Sequence, residues 1–194
     1  RFTAASALDG VTGLRLEALT HGDLISGGPG RNIDGLFAVS ELLIEVKTPG
    51  TTEWTRVNLV NASADFESPE TPIPAFFSEG GDDKRVVGPS AFLIDGKNDT
   101  AWSPDRGAGR RNAPTEWVAQ FKEPLHFPAG TTFRGTLVFK HGGKDGHGRQ
   151  NNHLGRFRVA LSTSPSPVAS KISTAARLAL STSPAMRTPA TGAC

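Results

Sequence analysis

The chain has 194 residues, of which 22 are Gly and 14 are Pro, and its formal net charge at pH 7 is +2. This length suits one domain rather than two, and a hydrophobic content of 37% is enough for one sizeable core, which excludes wholesale disorder. The high Gly and Pro content favours many short strands joined by turns over long helices.

The charges are distributed unevenly along the chain. Residues 1–100 carry 8 basic and 15 acidic side chains, whereas residues 101–158 carry 10 basic and 4 acidic side chains. A basic half attracts anionic polymers such as nucleic acid or sulfated polysaccharide. However, no basic run exceeds the pair Arg110–Arg111. We therefore favour Arg side chains on water-facing strands as the explanation, and we expect no nucleic-acid partner.

The single cysteine, Cys194, excludes a disulfide within the chain. The sequence contains no signal peptide and no apolar stretch of about 18 residues, which predicts that it does not span a membrane. We expect the sequence to be a piece of a longer protein, so that a missing export signal carries no information.

Alternating apolar and polar residues predict the strands. Leu14, Leu16 and Ala18 alternate with Arg15 and Glu17, as in a half-buried strand. Seven or eight short strands in total are enough for two packed sheets, which predicts an all-β, antiparallel jelly-roll β-sandwich. The further predicted strands are residues 36–46, 54–60, 92–94, 117–121, 133–139 and 157–161.

The composition changes at Ser162, where the sequence Ser-Thr-Ser-Pro-Ser-Pro is typical of a linker. We predict a β-sandwich module over residues 1–163. Residues 164–194 are predicted to form a Ser/Pro linker and a short helical or disordered tail, because an isolated helix of this length is marginally stable in water.

The most informative segment runs from Phe92 to Trp102. It contains an Asp-Gly turn that is followed by Asn, Asp and Thr, so that oxygen atoms are concentrated within six residues. Such a turn suits Ca²⁺. The alternative is an Asx turn, in which the side chain of Asp95 bonds to its own backbone and no metal is needed. The spacing alone favours the Asx turn.

This segment, together with Trp117, Val118 and Phe121, resembles the galactose-binding-like β-sandwich. That superfamily includes discoidin or coagulation-factor type C domains and many carbohydrate-binding modules. The resemblance implies a jelly-roll sandwich, often with one structural Ca²⁺ beside the turn, and it makes Trp102 and Trp117 core residues. Carried over residue by residue, it implies calcium ligation by the carboxylate of Asp95, the hydroxyl and carbonyl of Thr100, and the backbone carbonyls of Phe92 and Lys97.

A second resemblance covers nearly the whole chain and is carried by residues 14–19, 28–31, 37–41, 61–66 and 154–158. These segments resemble an uncharacterised module of large planctomycete proteins that also carry c-type cytochrome domains. The resemblance implies an exported parent protein in the periplasm, the cell envelope or outside the cell. It also implies that the neighbouring domains of that protein are partners.

The order of one strand differs from that of discoidin-type domains. In those domains a strand like Ser40-Glu41-Leu42 lies near the C-terminus, whereas here it precedes the Asp-Gly turn. We therefore expect a permuted strand order.

A carbohydrate site needs an aromatic face and a few polar groups. The aromatic candidates are Trp54, at the start of a strand, and Phe76, in a long acidic loop, where it is equally suited to plug the end of the sandwich. The polar candidate is the Gly-rich loop 141–153, for which a flexible hairpin loop is the alternative. The predicted ligand-binding residues are His141, Arg149, Asn151, Asn152, His153, Trp54 and Phe76.

The sequence gives no sign of catalysis. It lacks a Gly-x-Ser-x-Gly elbow and a Cys-x-x-Cys-His haem site, and its single cysteine lies in the tail. We therefore predict a non-catalytic module that binds a polysaccharide or another glycan as part of a larger exported protein. The alternative is a structural or protein-docking domain that spaces its neighbours and binds no glycan.

Overall fold

A computed structural model describes residues 1–75, 77, 78, 83–143, 151–172 and 180. Up to residue 172, the regular secondary structure in this part of the chain consists of β-strands and two short 3₁₀ turns, Ile25–Gly27 and Ser90–Ile94. The predicted all-β fold is therefore confirmed. Within the same residues, no helix has the length and apolar character needed to cross a membrane.

The strands are numbered here in chain order, within the described residues. They are β1 (Phe2–Ser6), β2 (Val11–Leu19), β3 (Glu41–Lys47), β4 (Thr55–Val57), β5 (Leu59–Ala64), β6 (Thr71–Pro72), β7 (Val86–Gly88), β8 (Thr100–Trp102), β9 (Thr115–Leu125), β10 (Thr131–Val138) and β11 (Arg156–Ser162).

Two four-stranded sheets form the body of the molecule. Sheet A has the strand order β1-β10-β3-β4 and sheet B the order β11-β2-β9-β5, and all neighbouring strands in them are antiparallel. Leu14 and Trp117 of sheet B share one core with Ile44 and Phe133 of sheet A. Because a single core joins both sheets, they pack face to face as a β-sandwich. The jelly-roll assignment stays a prediction.

A third, small sheet has the order β6-β7-β8, with β7 and β8 parallel. It lies at the end of the sandwich that also carries residues 20–40, 103–114, 139–143 and 151–155, which we call the long-loop end. The opposite, short-loop end carries residues 7–10, 48–54 and 126–130.

The chain passes from one sheet to the other at Asn58. The segment 54–60, predicted as one strand, is in fact two strands, since β4 pairs with β3 in sheet A and β5 pairs with β9 in sheet B. Asn58 lies between them, and its carbonyl accepts a hydrogen bond from the backbone N–H of Lys122 at 2.9 Å. The alternating pattern continues through the crossing, which is why the sequence did not reveal it.

The predicted strand 92–94 is wrong. These residues belong to the 3₁₀ turn Ser90–Ile94, in which the N–H of Phe92 donates to the carbonyl of Pro89 at 3.2 Å. A run of three apolar residues is too short to distinguish a strand from a helical turn. Here Leu93 is buried in the core while Ala91 faces the solvent.

Residues 164–172, expected to be a linker, lie across the outer face of sheet B. Pro167 packs so closely on Gly13 of β2 that a Cβ at Gly13 would lie 2.5 Å from the Pro167 Cγ. The N–H of Ala169 donates to the hydroxyl of Ser63 on β5 at 2.9 Å, and the side-chain amide of Gln120 on β9 donates to the carbonyl of Pro167 at 3.3 Å. This segment is therefore attached to three strands of the sheet. Of the helix expected in the tail, over residues 170–181, the structure describes residues 170–172, which are not helical, and Leu180; the rest lies outside the described residues.

The two tryptophans predicted to lie in the core are fully buried, which confirms that prediction. They differ in one respect. The indole N–H of Trp117 donates to the carbonyl of Ser90 at 2.9 Å, whereas the indole N–H of Trp102 has no hydrogen-bond partner among the described residues. Trp102 instead makes an edge contact with the ring of Phe37, with centroids 5.1 Å apart.

We expect Trp117→Phe to destabilise the fold more than Trp102→Phe, by about 1–3 kcal/mol in the free energy of unfolding. Each substitution removes the same atoms from a fully buried side chain. The free-energy cost of the cavity that is left is therefore similar in the two variants. Only Trp117→Phe breaks a buried hydrogen bond and leaves the carbonyl of Ser90 without that donor. Urea unfolding of the two variants measures the difference, and equal midpoints would contradict the prediction.

Candidate functional site

The side chain of His141 is completely buried at the long-loop end. Its Nε2 lies 3.1 Å from the carbonyl oxygen of Val86 and 3.3 Å from that of Asp99, and its Nδ1 lies 3.1 Å from the hydroxyl of Ser40. Because a carbonyl only accepts, Nε2 carries the proton and Nδ1 accepts from Ser40. Burial, aided by the charge of Arg85, lowers the pKa of His141 below its ordinary value of 6.5.

Asn152 is buried beside His141. Its amide donates to the carbonyl of His141 at 3.0 Å, and its side-chain oxygen accepts from the amide of Asn32 at 2.9 Å. The prediction that His141 and Asn152 offer polar groups to a ligand from an exposed loop is therefore wrong. Their polar atoms are used to join the two ends of the loop to the chain around Asn32 and Ser40.

Asn151 and His153 lie next to this network but are more accessible. The Asn151 side-chain oxygen accepts the N–H of His153 at 2.9 Å, and the exposed His153 ring packs on Phe139 with centroids 4.7 Å apart. Arg149 and Phe76 lie outside the described residues. The long-loop end thus brings together four of the predicted residues, two of them buried.

Trp54 lies at the short-loop end, far from these residues. Its ring contacts the guanidinium of Arg134, 4.3 Å from the ring centroid, and the ammonium of Lys47, at 5.1 Å. Lys47 ends β3, whereas Ser40 immediately precedes that strand, so the seven residues of β3 separate Trp54 from His141. At about 3.3 Å per residue that distance is roughly 20 Å. The predicted residues that the structure describes therefore do not converge on one surface.

The Asp-Gly turn adopts the Asx geometry that the spacing favoured. One carboxylate oxygen of Asp95 accepts the N–H of Lys97 at 3.0 Å, and the hydroxyl of Thr100 donates to both oxygens, at 3.0 and 2.9 Å. Phe92 belongs to the helical turn just before Asp95. The four predicted metal ligands are therefore neighbours in space, and the turn is already satisfied by its own hydrogen bonds.

Glu41, which is absent from the site residues predicted from the sequence, lies beside this turn. Its carboxylate accepts the N–H of Gly96 at 2.5 Å. The pKa of Glu41 is raised to about 7, mainly by burial and also by the charge of Asp95 and a hydrogen bond with it, whereas the bond from Gly96 opposes the increase. The signal in the sequence was the acidic residue of the segment Ser40-Glu41-Leu42, which lies at the start of β3.

The oxygen atoms around this turn fit a hard divalent cation. Two carboxylates, Glu41 and Asp95, lie together with the hydroxyl of Thr100, and burial, followed by the charge of Asp95, raises the pKa of Glu41. Calcium takes six to eight oxygen ligands. Among the described residues, no group of three His, Cys, Asp or Glu side chains is arranged so that it could hold a metal ion by itself. Backbone carbonyls and water would therefore complete the coordination.

A cleft of about 560 Å³ lies elsewhere, on the outer face of sheet B. Side chains of β2, β9 and β11 form its floor, and the loop 106–114 and residues 170–172 form its walls. We call it the sheet B cleft. Ligand sites usually have volumes of about 300–1,000 Å³, so its size suits a sugar-sized ligand. None of the predicted ligand-binding residues that the structure describes lines it.

Two carboxylates face each other on the floor of the sheet B cleft. Glu17 on β2 is paired in register with Glu116 on β9, and both are almost completely buried. Arg158 on β11, the cross-strand neighbour of Glu17, donates two hydrogen bonds to it at 2.6 and 2.9 Å. Arg15 lies between the two carboxylates, 3.6 Å from an oxygen of Glu17 and 3.5 Å from one of Glu116. The N–H of Ser170 bonds to Glu116 at 2.9 Å.

The walls of the sheet B cleft combine apolar and cationic groups. Arg106 pairs with Asp65 at 2.9 Å and lies over the ring of Phe66, 4.6 Å from its centroid. Arg110 and Lys171 are exposed. The aliphatic parts of the walls come from Leu19, Ala113, Pro114 and Ile172.

A second depression of about 600 Å³ lies at the short-loop end, in the turn between β3 and β4. Its polar lining consists mainly of threonines, but the hydroxyl of Thr51 is bonded within the turn, to the carbonyl of Thr48 at 2.9 Å. Glu53 is the one charged side chain among the described residues that line it. This depression therefore offers fewer groups for recognition than the sheet B cleft.

Comparison with known proteins gives no relative: no family model, no curated protein and no solved structure matches this chain.

Protonation of His141 opposes folding. Because its pKa is lower in the folded than in the unfolded chain, its neutral form stabilises the fold above about pH 6.5, and this contribution is lost as the pH falls towards the folded pKa. Glu41 acts in the opposite direction, since its raised pKa stabilises the fold at low pH and this contribution is lost as the pH rises through about 7.

The effect of His141 is therefore measured as a difference between variants. We expect the free energy of unfolding of the wild type relative to His141→Gln to decrease between about pH 7.5 and 5.5, whereas the difference from Ala91→Ser, at an exposed position without a titratable group, stays constant. Urea unfolding at several pH values measures both differences. A wild-type advantage over His141→Gln that does not change with pH would contradict the prediction.

Proposed function

We propose that the chain is a non-catalytic module that binds carbohydrate in the sheet B cleft and is stabilised by one Ca²⁺ beside Asp95. The observation that carries this proposal is the cleft itself, where hydrogen-bonding groups and aliphatic walls meet in a volume of about 560 Å³. A sugar offers hydroxyls at its edge and C–H groups on its faces, and these two kinds of surface match the cleft. The resemblance to planctomycete modules adds the proposal that the parent protein is exported.

The two carboxylates on the floor favour binding over catalysis. A glycosidase needs one carboxylic acid that delivers a proton and a second carboxylate that acts as nucleophile or base. Glu17 is instead held by Arg158 and Arg15, and Glu116 by Arg15 and the backbone of residue 170. These bonds occupy the oxygens in ion pairs, which is the arrangement of a structural network.

The proposed Ca²⁺ would be held by the carboxylates of Asp95 and Glu41, the hydroxyl of Thr100, and backbone carbonyls such as those of Phe92 and Lys97. It would supply positive charge to this carboxylate pair and would tie the turn to the start of β3. Its role would be structural.

We expect the isolated domain to bind a glycan weakly, with a Kd on the order of 0.1–1 mM, because each net hydrogen bond contributes roughly 0.5–1.5 kcal/mol. Ala113→Trp should reduce this binding at least tenfold, since the indole would fill the sheet B cleft. Ala91→Trp, at an exposed position outside the cleft, is the matched control and should bind normally. A glycan-array screen followed by affinity electrophoresis measures both variants.

Two results would contradict the glycan proposal. If Ala113→Trp binds like the wild type while its melting temperature is unchanged, the glycan site lies elsewhere. If the wild type binds no glycan, the domain is a structural or docking unit.

We expect Ca²⁺ to raise the melting temperature of the wild type at about pH 8, where Glu41 is ionised, because a cation that binds only the folded state stabilises it by mass action. The increase should disappear in Glu41→Gln and in Asp95→Asn. Asp105→Asn, an exposed carboxylate away from the turn, should respond like the wild type. Identical melting curves of the wild type in EDTA and in Ca²⁺ would leave the Asx turn as the whole explanation.

A further inference from the structure

The charges of the sheet B cleft are arranged in two layers. The acidic side chains Glu17, Glu116 and Asp65 lie in its floor, with 4%, 6% and 15% of the side chain exposed. The side chain of Arg158 remains 57% exposed although its Nε and Nη2 are bonded to Glu17. Acids are therefore covered and bases face the solvent.

The acids of the floor are also engaged as acceptors. Asp65 receives hydrogen bonds from the hydroxyl of Thr115 at 2.6 Å, the N–H of Glu116 at 3.1 Å and the guanidinium of Arg106 at 2.9 Å. Glu17 and Glu116 are held by Arg15 and Arg158 as described above. A molecule that enters the cleft therefore meets few accessible negative oxygens.

The rim contains two cations that these acids do not neutralise. Arg110 and Lys171 are exposed, and within the described residues neither has a carboxylate partner. Lys171 donates to the carbonyl of Ala64 at 2.7 Å, which positions its ammonium without cancelling its charge. The two residues lie on separate walls, one on the loop 106–114 and the other on residues 170–172.

We propose that the carbohydrate bound in the sheet B cleft is anionic, a polysaccharide that carries carboxylate or sulfate groups, with Arg110, Lys171 and Arg158 as the groups that recognise its charge. This inference rests on the proposed function and specifies its ligand class. Arg is suited to carboxylate and sulfate oxygens because its guanidinium presents several donors in one plane.

The walls favour a sugar chain over a nucleic acid. Proteins bind single-stranded nucleic acids through aromatic platforms on which the bases stack. The described residues that line the cleft include no aromatic side chain, and the aliphatic surface of Leu19, Ala113, Pro114 and Ile172 suits the C–H face of a pyranose instead.

Affinity electrophoresis with four polymers tests the inference. Alginate carries carboxylates, and dextran sulfate carries sulfate esters. Dextran, the uncharged backbone of dextran sulfate, and a duplex DNA are the comparison polymers. Alginate or dextran sulfate should retard the wild type, and the retardation should weaken steeply as salt is raised from about 50 to about 300 mM. Dextran and DNA should retard it at least tenfold less. The comparison of alginate with dextran sulfate tells which anionic group is preferred.

The variant Arg110→Gln/Lys171→Gln should lower the affinity for the anionic polymer at least tenfold. Arg56→Gln/Lys84→Gln removes the same charge from exposed positions outside the cleft and should bind within about twofold of the wild type. Melting temperatures of both variants verify that the fold is retained.

The outcomes separate this inference from the proposed function. If a neutral glycan binds as well as the anionic polymers, the anionic ligand class is wrong while the module remains a carbohydrate binder. If the two double variants lose binding equally, Arg110 and Lys171 are not the groups that recognise the charge, and the inference is wrong at the sheet B cleft. Retardation by DNA equal to that by the anionic polysaccharides overturns the inference in favour of general polyanion binding. If no polysaccharide retards the wild type, both proposals fall.

Discussion

The pairing of β2 with β9 places two carboxylates, Glu17 and Glu116, directly opposite each other. Neighbouring strands lie about 4.8 Å apart, and like charges opposite each other destabilise a sheet. Groups on the outer face of sheet B compensate this repulsion. Arg15 lies between the two carboxylates, Arg158 reaches Glu17 from the edge strand β11, and the backbone of residue 170 bonds to Glu116. Removing one of these partners would weaken the compensation of the two buried carboxylates.

The same ion pairs shape the surface that a ligand would meet. The acids pair with arginines and are withdrawn from solvent, whereas the side chain of Arg158 stays 57% exposed. The segment 164–172 contributes in two ways, since it covers part of sheet B and supplies Lys171 to the rim. A segment with the composition of a linker is therefore part of the folded unit, and the cleft depends on it.

At the long-loop end, buried polar residues stabilise the fold. His141, Asn152, Asn32 and Ser40 form a buried network in which the described polar atoms have partners. A buried polar group without a partner costs about 1–3 kcal/mol, so such a network fixes the loop only when it is complete. His141 must be neutral to accept the hydrogen bond from the hydroxyl of Ser40. The stability of this end of the sandwich therefore depends on pH.

The sequence by itself determined the β character, most of the strands and the core tryptophans, because alternation along one strand depends only on that strand and its single buried face. It also located the Asx turn at Asp95, whose hydrogen bonds are local. It did not determine which strands pair. The approach of Glu41 to Asp95, of Glu17 to Glu116, and of residues 164–172 to sheet B joins segments that are far apart in the chain. Polar residues such as His141 likewise look alike in the sequence whether they are exposed or buried. Only the tertiary structure decided these contacts, because strand register and burial arise from the packing of the whole sandwich.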